Sequence, residues 1–319
     1  MLPVSAHQKP ASTRSVFDIG LPINRETGRR DEGSRRSAVH RSKLGLVEDI
    51  SISPTGLPPK GYETNYQVVL PYFGLFAYGV GGKTWLLDAN RILFVSPGRE
   101  YTDVHPVENL GHAAIVINPS REVLDEICEG PVSERGLAFQ EASRPTSASL
   151  QLMRHQLLRL GAECDDPLMK DEWTVRVLRE AMAIPQRAAR VRTGAVDRAK
   201  EVLHARGCER LSLDDIAQDV GVTPVYLTQE FSRCEGIPLY RYQLRLRLNR
   251  ALLELAYCDN ITGLALDLGF SSHSHFSSVF RSAFGMTPSE YRTSAITSAQ
   301  RQEMAERMET RASNVKKAA

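Results

Sequence analysis

The 319-residue sequence predicts a multidomain α+β protein: an antiparallel β barrel first, then a helical connector, then an all-α domain with two helix-turn-helix units. Three observations predict this order. Short apolar runs fill residues 48–145, helical periodicity replaces them over 146–192, and an internal repeat occupies 193–294. Residues 1–47 and 295–319 have no such pattern, and we expect a flexible basic arm and a polar tail.

The composition is typical of a globular cytoplasmic protein, with 42% apolar residues, 24% charged residues and a net charge of +2. Five cysteines, an odd number, are widely spaced and form no CxxC pair. This pattern favours reduced thiols over a disulfide framework or a structural zinc site. The amino terminus has no signal-peptide core, and no run of about 20 apolar residues predicts a membrane helix.

Residues 48–145 have the pattern of short strands separated by turns. Turn residues such as Pro71 and Gly81-Gly82 divide the apolar runs, and this spacing is typical of an antiparallel barrel or sandwich. The runs are Gln67–Leu70, Tyr72–Val80, Trp85–Leu87, Ile92–Val95 and Ala113–Ile117.

Two apolar stripes with helical spacing follow. They consist of Leu150, Met153, Leu157 and Leu160, and of Trp173, Val177, Leu178 and Ala181. Such stripes form either the core of one chain or the contact between two chains, so a homodimer is one interpretation. Residues 186–193, rich in arginine, are interpreted as a linker.

The repeat in the last hundred residues is the strongest signal in the sequence. The first copy runs through Ile216, Ala217, Val220, Gly221, Val222, Leu227, Phe231 and Gly236. The second runs through Leu264, Ala265, Leu268, Gly269, Phe270, Phe276, Phe280 and Gly285. The spacing between copies is 48 up to the residue after the turn glycine and 49 from Leu227 onward, so one extra residue lies near Ser271. Repeated patterns of this kind indicate repeated structure.

Each repeat position has a physical reason. Ala217 and Ala265 allow two helices to cross closely, and Gly221 and Gly269 can adopt the left-handed conformation of a tight turn. Thr223-Pro224 offers an N-cap followed by a proline at the first helical position, and Ser271 or Ser272 can cap the matching helix. Each copy is therefore predicted to be a helix-turn-helix, whose second helix enters the major groove of DNA.

Residues 238–257 are predicted to form one helix between the two copies. Its length of about 30 Å nearly matches the ~34 Å turn of B-DNA. Both second helices could therefore reach successive major grooves on one face of the duplex.

Two segments carry a specific resemblance to a known family: LSLDDIAQDVGVTPVYLTQEFSRCEGIPLYRYQLRLRLNRALLEL and ITGLALDLGFSSHSHFSSVFRSAFGMTPSEYR. With their GFSSHSHF run and closing G-x-x-P-x-x-Y-R, they resemble the DNA-binding domain of the AraC/XylS family of bacterial regulators. The resemblance implies transcriptional control, usually activation through contact with RNA polymerase, governed by a small-molecule effector or by dimerisation.

The family's base-reading positions fall on outward residues of the two second helices. On the first helix, Gln229 could bond adenine, while Val225 and the methyl group of Thr228 could pack on thymine. On the second helix the matching positions are His273, Ser274, Ser277 and Ser278. The family often has a basic residue where Ser278 stands, so we expect weaker or more shape-driven reading there.

Backbone contacts are expected from Tyr240, Arg241 and Arg281. Between residues 194 and 292 there are 11 basic and 12 acidic residues, so the domain is not broadly basic. The linker helix carries a row of arginines, part of which could be salt-bridged instead: Arg241, Arg245, Arg247 and Arg250. His273 and His275 form an HxH pair, but positions i and i+2 point in different directions on a helix, so no metal is expected there.

The strand region resembles the cupin-like sensor domain of the same family in WLLDANRILFVSPGREYTDVHP. An effector pocket in it could be lined by Trp85, Phe94, Tyr101 and His105. His105 and His112 are seven residues apart with no HxH motif in this region, so neither a metal nor another cofactor is expected. Two rival interpretations are a metal-dependent cupin enzyme and a dimerisation scaffold that binds no ligand. We find no catalytic motif and predict no enzymatic activity.

Overall fold

The computed structural model describes residues 34–52, 60–128, 139, 142–184, 193–207, 209–256, 258 and 260–295. Most of the predicted arm, the arginine-rich linker up to residue 192 and the polar tail beyond residue 295 lie outside these residues. In the described part of the chain, no helix is both long and apolar enough to cross a membrane.

The amino-terminal region is a stack of two antiparallel sheets. Six strands run in the order β1-β2-β9-β4-β7-β10, and four in the order β3-β8-β5-β6. The strands are β1 (Ser34–Ser42), β2 (Gly45–Ile52), β3 (Lys60–Glu63), β4 (Gln67–Gly74), β5 (Phe76–Val80), β6 (Lys83–Leu87), β7 (Arg91–Val95), β8 (Arg99–Val104), β9 (His112–Pro119) and β10 (Ser143–Pro145).

The predicted closed barrel is not confirmed, because the described strands form two separate ladders. The larger sheet is buried on both faces, and successive residues of its strands alternate between two cores. On β7, Phe94 faces the helices while Leu93 and Val95 face the smaller sheet. Continuous apolar runs such as Ile92–Val95 are typical of strands that are covered on both sides. This pattern therefore favours a layered stack of sheets and helices over the wall of a barrel.

The predicted arm was wrong for residues 34–47, which form β1 and the start of β2. Strand β1 lies at the edge of the larger sheet, and Val39 is its one fully buried hydrophobic residue. Edge strands in natural proteins often carry charged side chains, so the sequence of β1 lacks the alternation that marks a strand. His40 ties this edge to the connector through a 2.6 Å contact with Asp171.

The helices follow the first nine strands, with β10 inserted between the first two. They are α1 (Arg121–Ile127), α2 (Ala148–Glu163), α3 (Pro167–Ala183), α4 (Gly194–Ala205), α5 (Leu213–Val220), α6 (Pro224–Glu235), α7 (Leu239–Glu254), α8 (Ile261–Asp267), α9 (His273–Phe284) and α10 (Pro288–Ala295). The helix between the two repeat copies, α7, is 16 residues long. It therefore spans about 24 Å rather than the expected 30 Å.

The two stripes of the connector lie mainly in the core of this chain. Leu150, Leu157, Val177, Leu178 and Ala181 are buried against the larger sheet, and Met153 and Trp173 pack around them. Burial within one chain favours the core interpretation of these stripes over a dimer contact.

Candidate nucleic-acid interface

The first repeat copy folds as the sequence predicts. Ser212 caps α5 in a reciprocal capping box with Asp215, and Gly221 ends the helix in the left-handed conformation, with φ of 76°. The hydroxyl oxygen of Thr223 then accepts from the Tyr226 N–H, and Pro224 begins α6. These local signals therefore place two short helices one after the other, separated by a tight turn.

The second copy has the same turn. The N–H of Val222 donates to Ala217 O at 3.0 Å, and the N–H of Phe270 donates to Ala265 O at the same distance. Gly269 is left-handed, with φ of 80°, as Gly221 is. Ser272 is the N-cap of α9, so Ser271 is the extra residue of the second copy. Both units therefore have one backbone geometry.

The same spacing separates inward from outward residues in both second helices. Leu227, Phe231, Phe276 and Phe280 are completely buried, as are Ala217 and Ala265 where the helices cross. Each unit has its own core, and together these cores fix which face of α6 and α9 is presented to solvent.

The three candidate base readers on α6 all lie on its exposed face. Val225 is 67% exposed, and Thr228 and Gln229 are exposed as well. The Thr228 hydroxyl donates to Pro224 O at 2.9 Å, which leaves its methyl group as the more available recognition surface. Tyr226, 45% exposed on the same helix, is an additional candidate that the sequence argument missed. Its aromatic character suggested core, although its position beside Val225 places it outside.

The candidates on α9 differ in how accessible they are. Ser274 and Ser278 are exposed, whereas His273 and Ser277 are half-buried and lie 3.4 Å apart through Nε2 and the hydroxyl. His275 Nδ1 lies 3.1 Å from the Ser271 hydroxyl. The two histidines of the HxH pair therefore have different partners, one on each side of the helix.

The three candidate phosphate contacts, Tyr240, Arg241 and Arg281, are exposed. The other arginines of α7 are half-buried and engaged within the chain. Arg245 donates to Thr146 O at 3.5 Å, Arg247 to Gly269 O at 3.0 Å, and Arg250 to the Glu254 carboxylate at 2.5 Å. Of the predicted arginine row, only the first member keeps an exposed side chain.

A buried polar junction joins the β region to the helix-turn-helix units. Arg91 on β7 donates to one Glu235 oxygen at 3.0 Å, and Lys200 on α4 lies 2.6 Å from the other. Burial alone would raise the pKa of Glu235, but Lys200 and Arg91 together hold it below its usual range. The last residue of α6 is thus a carboxylate held between two cations.

A second group of contacts lies beside the first. Asp88 accepts from the Tyr242 hydroxyl and lies 3.1 Å from His204 Nε2. Burial would raise the pKa of Asp88, but the His204 hydrogen bond and Lys200 outweigh it and hold this pKa well below its usual range. Asn90, next to it in the same turn, donates to Tyr242 O at 3.2 Å.

A third group connects α2 with α7. The fully buried Arg154 donates to Pro71 O and to Asn249 Oδ1, and Asn249 in turn donates to Tyr72 O at 2.7 Å. Burial lowers the pKa of Arg154 to about 9. The sequence argument missed this junction, because its partners are far apart in the chain.

The proposed effector-pocket residues do not share one site. Phe94 lies in the core between the larger sheet and the helices, edge-on to Phe139. Trp85 and Tyr101 pack instead against the core between the two sheets, and His105 is half-buried beside His112. Phe94 was therefore wrongly grouped, because adjacent residues of β7 point to opposite faces.

A cavity of about 110 Å³ lies at the junction of the β region with α4 and α7. Tyr72, Ala89 and Leu110 line one side, and Leu203 and Arg250 line the other. Pockets for small molecules are usually about 300–1,000 Å³, so this cavity fits a few water molecules rather than a metabolite.

Two helix-turn-helix units with exposed second helices, joined by one helix, define a DNA-binding protein. The two units, α5 with α6 and α8 with α9, together with the joining helix α7, are called the reading head below. Residues 216–294 match the family described as a helix-turn-helix domain. Over 86 residues the chain is 40% identical to the HTH-type transcriptional activator AarP of Providencia stuartii, covering 27% of this chain and 64% of AarP. Over 85 residues it is 42% identical to the HTH-type transcriptional regulator ArgR of Pseudomonas aeruginosa, covering 26% of each.

A solved structure of a transcriptional regulator with an AraC-type DNA-binding domain, from Chromobacterium violaceum, is 39% identical over 32% of this chain and 91% of its own, with a TM-score of 0.30. The carboxy-terminal segment of the chain is thus a helix-turn-helix domain similar to those of named transcription regulators. The chain spans less than two thirds of the length of AarP and about a quarter of ArgR.

Proposed function

We propose that the protein is a sequence-specific transcription regulator, acting as an activator, whose helices α6 and α9 enter successive major-groove segments of one duplex. The observation that carries this proposal is the duplicated geometry. Both units have the same turn hydrogen bond at 3.0 Å, a buried alanine at the crossing and an exposed face on the second helix. The similarity to AarP, named as an activator, supports the direction of regulation.

Within this proposal the two helices contribute unequally to base recognition. Gln229 forms paired hydrogen bonds with adenine, and Val225 and the Thr228 methyl group contact thymine methyl groups. The serines of α9 discriminate less between bases, so the second segment is read mainly through DNA shape. Tyr240, Arg241 and Arg281 hold the phosphate backbone and set the register.

In this proposal the amino-terminal region is a sensor, and it controls the arrangement of the two helix-turn-helix units and therefore their affinity for DNA. The support is the buried junction, since Arg91 and Asp88 contact α6, α4 and α7 directly. A small-molecule effector or a second copy of the chain changes DNA affinity only by favouring one arrangement of this junction. A tenfold change needs about 1.4 kcal/mol of such preference. RNA polymerase is the partner expected at the promoter.

The DNA-binding proposal is tested with full-length Val225→Glu. This side chain is exposed, so a carboxylate should leave the fold intact and repel DNA phosphates. Leu266→Glu is the matched control, since Leu266 is 49% exposed on α8, which precedes the second reading helix. We expect Val225→Glu alone to abolish binding to genomic fragments selected by the wild type, and to abolish activated transcription from them with purified RNA polymerase.

Equal binding by both variants would contradict the placement of α6. Selected fragments that the wild type binds but represses would contradict activation and leave DNA recognition in place. For the sensor, sedimentation and DNA titration are compared with and without host metabolite extracts. A monomer whose DNA affinity no extract changes would contradict control by effector or dimerisation.

A further inference from the structure

Asp103, His105 and His112 bring three metal-ligating side chains together in the amino-terminal region. One ligand atom from each lies within 4.8 Å of the other two. Asp103 lies in β8 and His105 follows directly after the strand, two positions further along the chain. His112 is the first residue of β9, in the other sheet. The cluster therefore connects the two sheets where the chain passes from one to the other.

The cluster is ordered by its surroundings. His105 Nε2 lies 2.8 Å from His112 Nδ1, and His112 Nε2 lies 3.6 Å from Asp103 Oδ2. The Phe76 ring stacks on the His112 imidazole, with centroids 3.8 Å apart and planes within 15°. This stacking fixes the central ring, and a fixed ring reduces the reorganisation needed to bind a ligand.

The second observation is an unsatisfied carboxylate oxygen. The Asp103 side chain is 9% exposed, and its Oδ1 is buried without a hydrogen-bond partner among the described residues. Leaving such an oxygen unpaired is costly. A cation at this point would satisfy the carboxylate and use nitrogen atoms already directed inward.

We propose that Asp103, His105 and His112 bind one divalent transition-metal ion. Two imidazoles and one carboxylate suit Zn²⁺, at ~2.0–2.2 Å from each ligand, and equally suit related first-row ions. Ca²⁺ and Mg²⁺ prefer all-oxygen sites and are excluded by the same ligand set. Three protein ligands leave at least one coordination position for water or for an anionic group of a small molecule.

The site lies close to the junction with the reading head. His112 pairs with Gly74 across β4 and β9, and Gly74 and Leu110 line the junction cavity opposite Leu203. Binding at His112 would therefore stiffen a segment that lines the same cavity as α4. The sequence argument found no metal site because it searched for HxH spacing, whereas here an aspartate takes the first histidine's place.

The test uses the untagged full-length protein, with Zn²⁺ for calorimetry and Co²⁺ for visible absorption. We expect one ion per chain, a rise in melting temperature and a Co²⁺ spectrum with nitrogen ligation. Asp103→Asn and His105→Gln should each lower the affinity by about tenfold or more. His105 is half-exposed, so its replacement should leave the fold intact even if replacing the buried His112 does not.

The matched controls are His273→Gln and His275→Gln, which remove the HxH pair of α9. The proposal is supported if the metal affinity is unchanged in both control variants and reduced in both site variants. Absence of stoichiometric binding by the wild type would overturn the proposal and leave the cluster as a hydrogen bond between His105 and His112 beside the Asp103 carboxylate. Binding that persists in Asp103→Asn and His105→Gln, or that is lost in the controls, would overturn it as well.

Discussion

Arg91 Nη1 lies 3.0 Å from Glu235 Oε2, which links strand β7 of the larger sheet to the last residue of helix α6. These residues are 144 positions apart in the sequence. The second Glu235 oxygen is held by Lys200, whose side chain is completely buried. The two buried ion pairs of Glu235 thus hold α6 against the amino-terminal region, and a substitution within them should be poorly tolerated.

Glu235→Gln should destabilise the protein strongly. Removing one partner of a buried ion pair typically costs about 3–5 kcal/mol, because the remaining charge is left buried and uncompensated. The measurement is the thermal midpoint of the full chain at pH 7. Glu209→Gln is the control, since Glu209 forms an exposed pair with Arg206, and exposed pairs contribute little. Equal midpoints for the two variants would show that the junction contributes no stability.

The pH dependence of stability should change in the same variant. Because the folded-state pKa of Glu235 is below its ordinary value of 4.5, its contribution to stability is present above pH 4.5 and lost as the pH falls through the folded-state pKa. The thermal midpoint of the wild type should therefore fall by more than that of Glu235→Gln when the pH is lowered from 6 to 3. Parallel curves for the two proteins would contradict the depressed pKa.

Gln229→Ala should relax base preference at one position of the first segment, at a cost of about 1–3 kcal/mol for the preferred sequence. The side chain is exposed on α6, so folding should be unaffected. Gln218→Ala, an equally exposed glutamine on α5, is the control. Selection from random duplexes measures both preferences. A uniform loss of affinity for all sequences would show that Gln229 does not read a base.

Arg281→Ala should weaken binding to all sequences alike. A side chain that contacts phosphate displaces about one counterion, so its loss should reduce the salt slope of binding by about one. Arg206→Ala is the control, since Arg206 is already paired with Glu209 and Asp219. DNA titrations over a range of salt concentrations give the slope. A sequence-dependent loss, with the slope unchanged, would assign Arg281 to base contact instead.

Ala265→Val should destabilise the second helix-turn-helix unit by about 1–3 kcal/mol, because added methyl groups overpack a helix crossing. Ala265 is completely buried there. The control is Ala205→Val at the exposed end of α4. Urea unfolding of both variants measures the difference. Similar unfolding midpoints would mean that the crossing has room for larger side chains.

The reading head could be predicted from sequence because its signals are local. Gly221, Gly269 and the Thr223-Pro224 cap each determine the conformation of a few neighbouring residues, and the turn glycine and a hydroxyl N-cap occur in both copies. The α7 helix was overestimated by four residues, since helix ends depend on caps and packing that periodicity does not show.

The amino-terminal region was harder to predict because its structure depends on distant pairs. Nothing near Arg91 in the sequence indicates Glu235, and nothing near Phe94 shows which of two faces it covers. Strand β1 gave no signal because an edge strand buries few side chains. The Asp103 cluster was missed because His105 and His112 were compared only with an HxH motif, which has no place for Asp103.

The most direct test of the tandem reading head is a footprint of the full-length protein on a selected duplex, combined with methylation interference at guanine N7 in the major groove. We predict two protected major-groove segments on one face of the duplex, centred about 10–10.5 base pairs apart. Val225→Glu should give no footprint on this duplex. One protected segment, or protection without interference at guanine N7, would contradict the account.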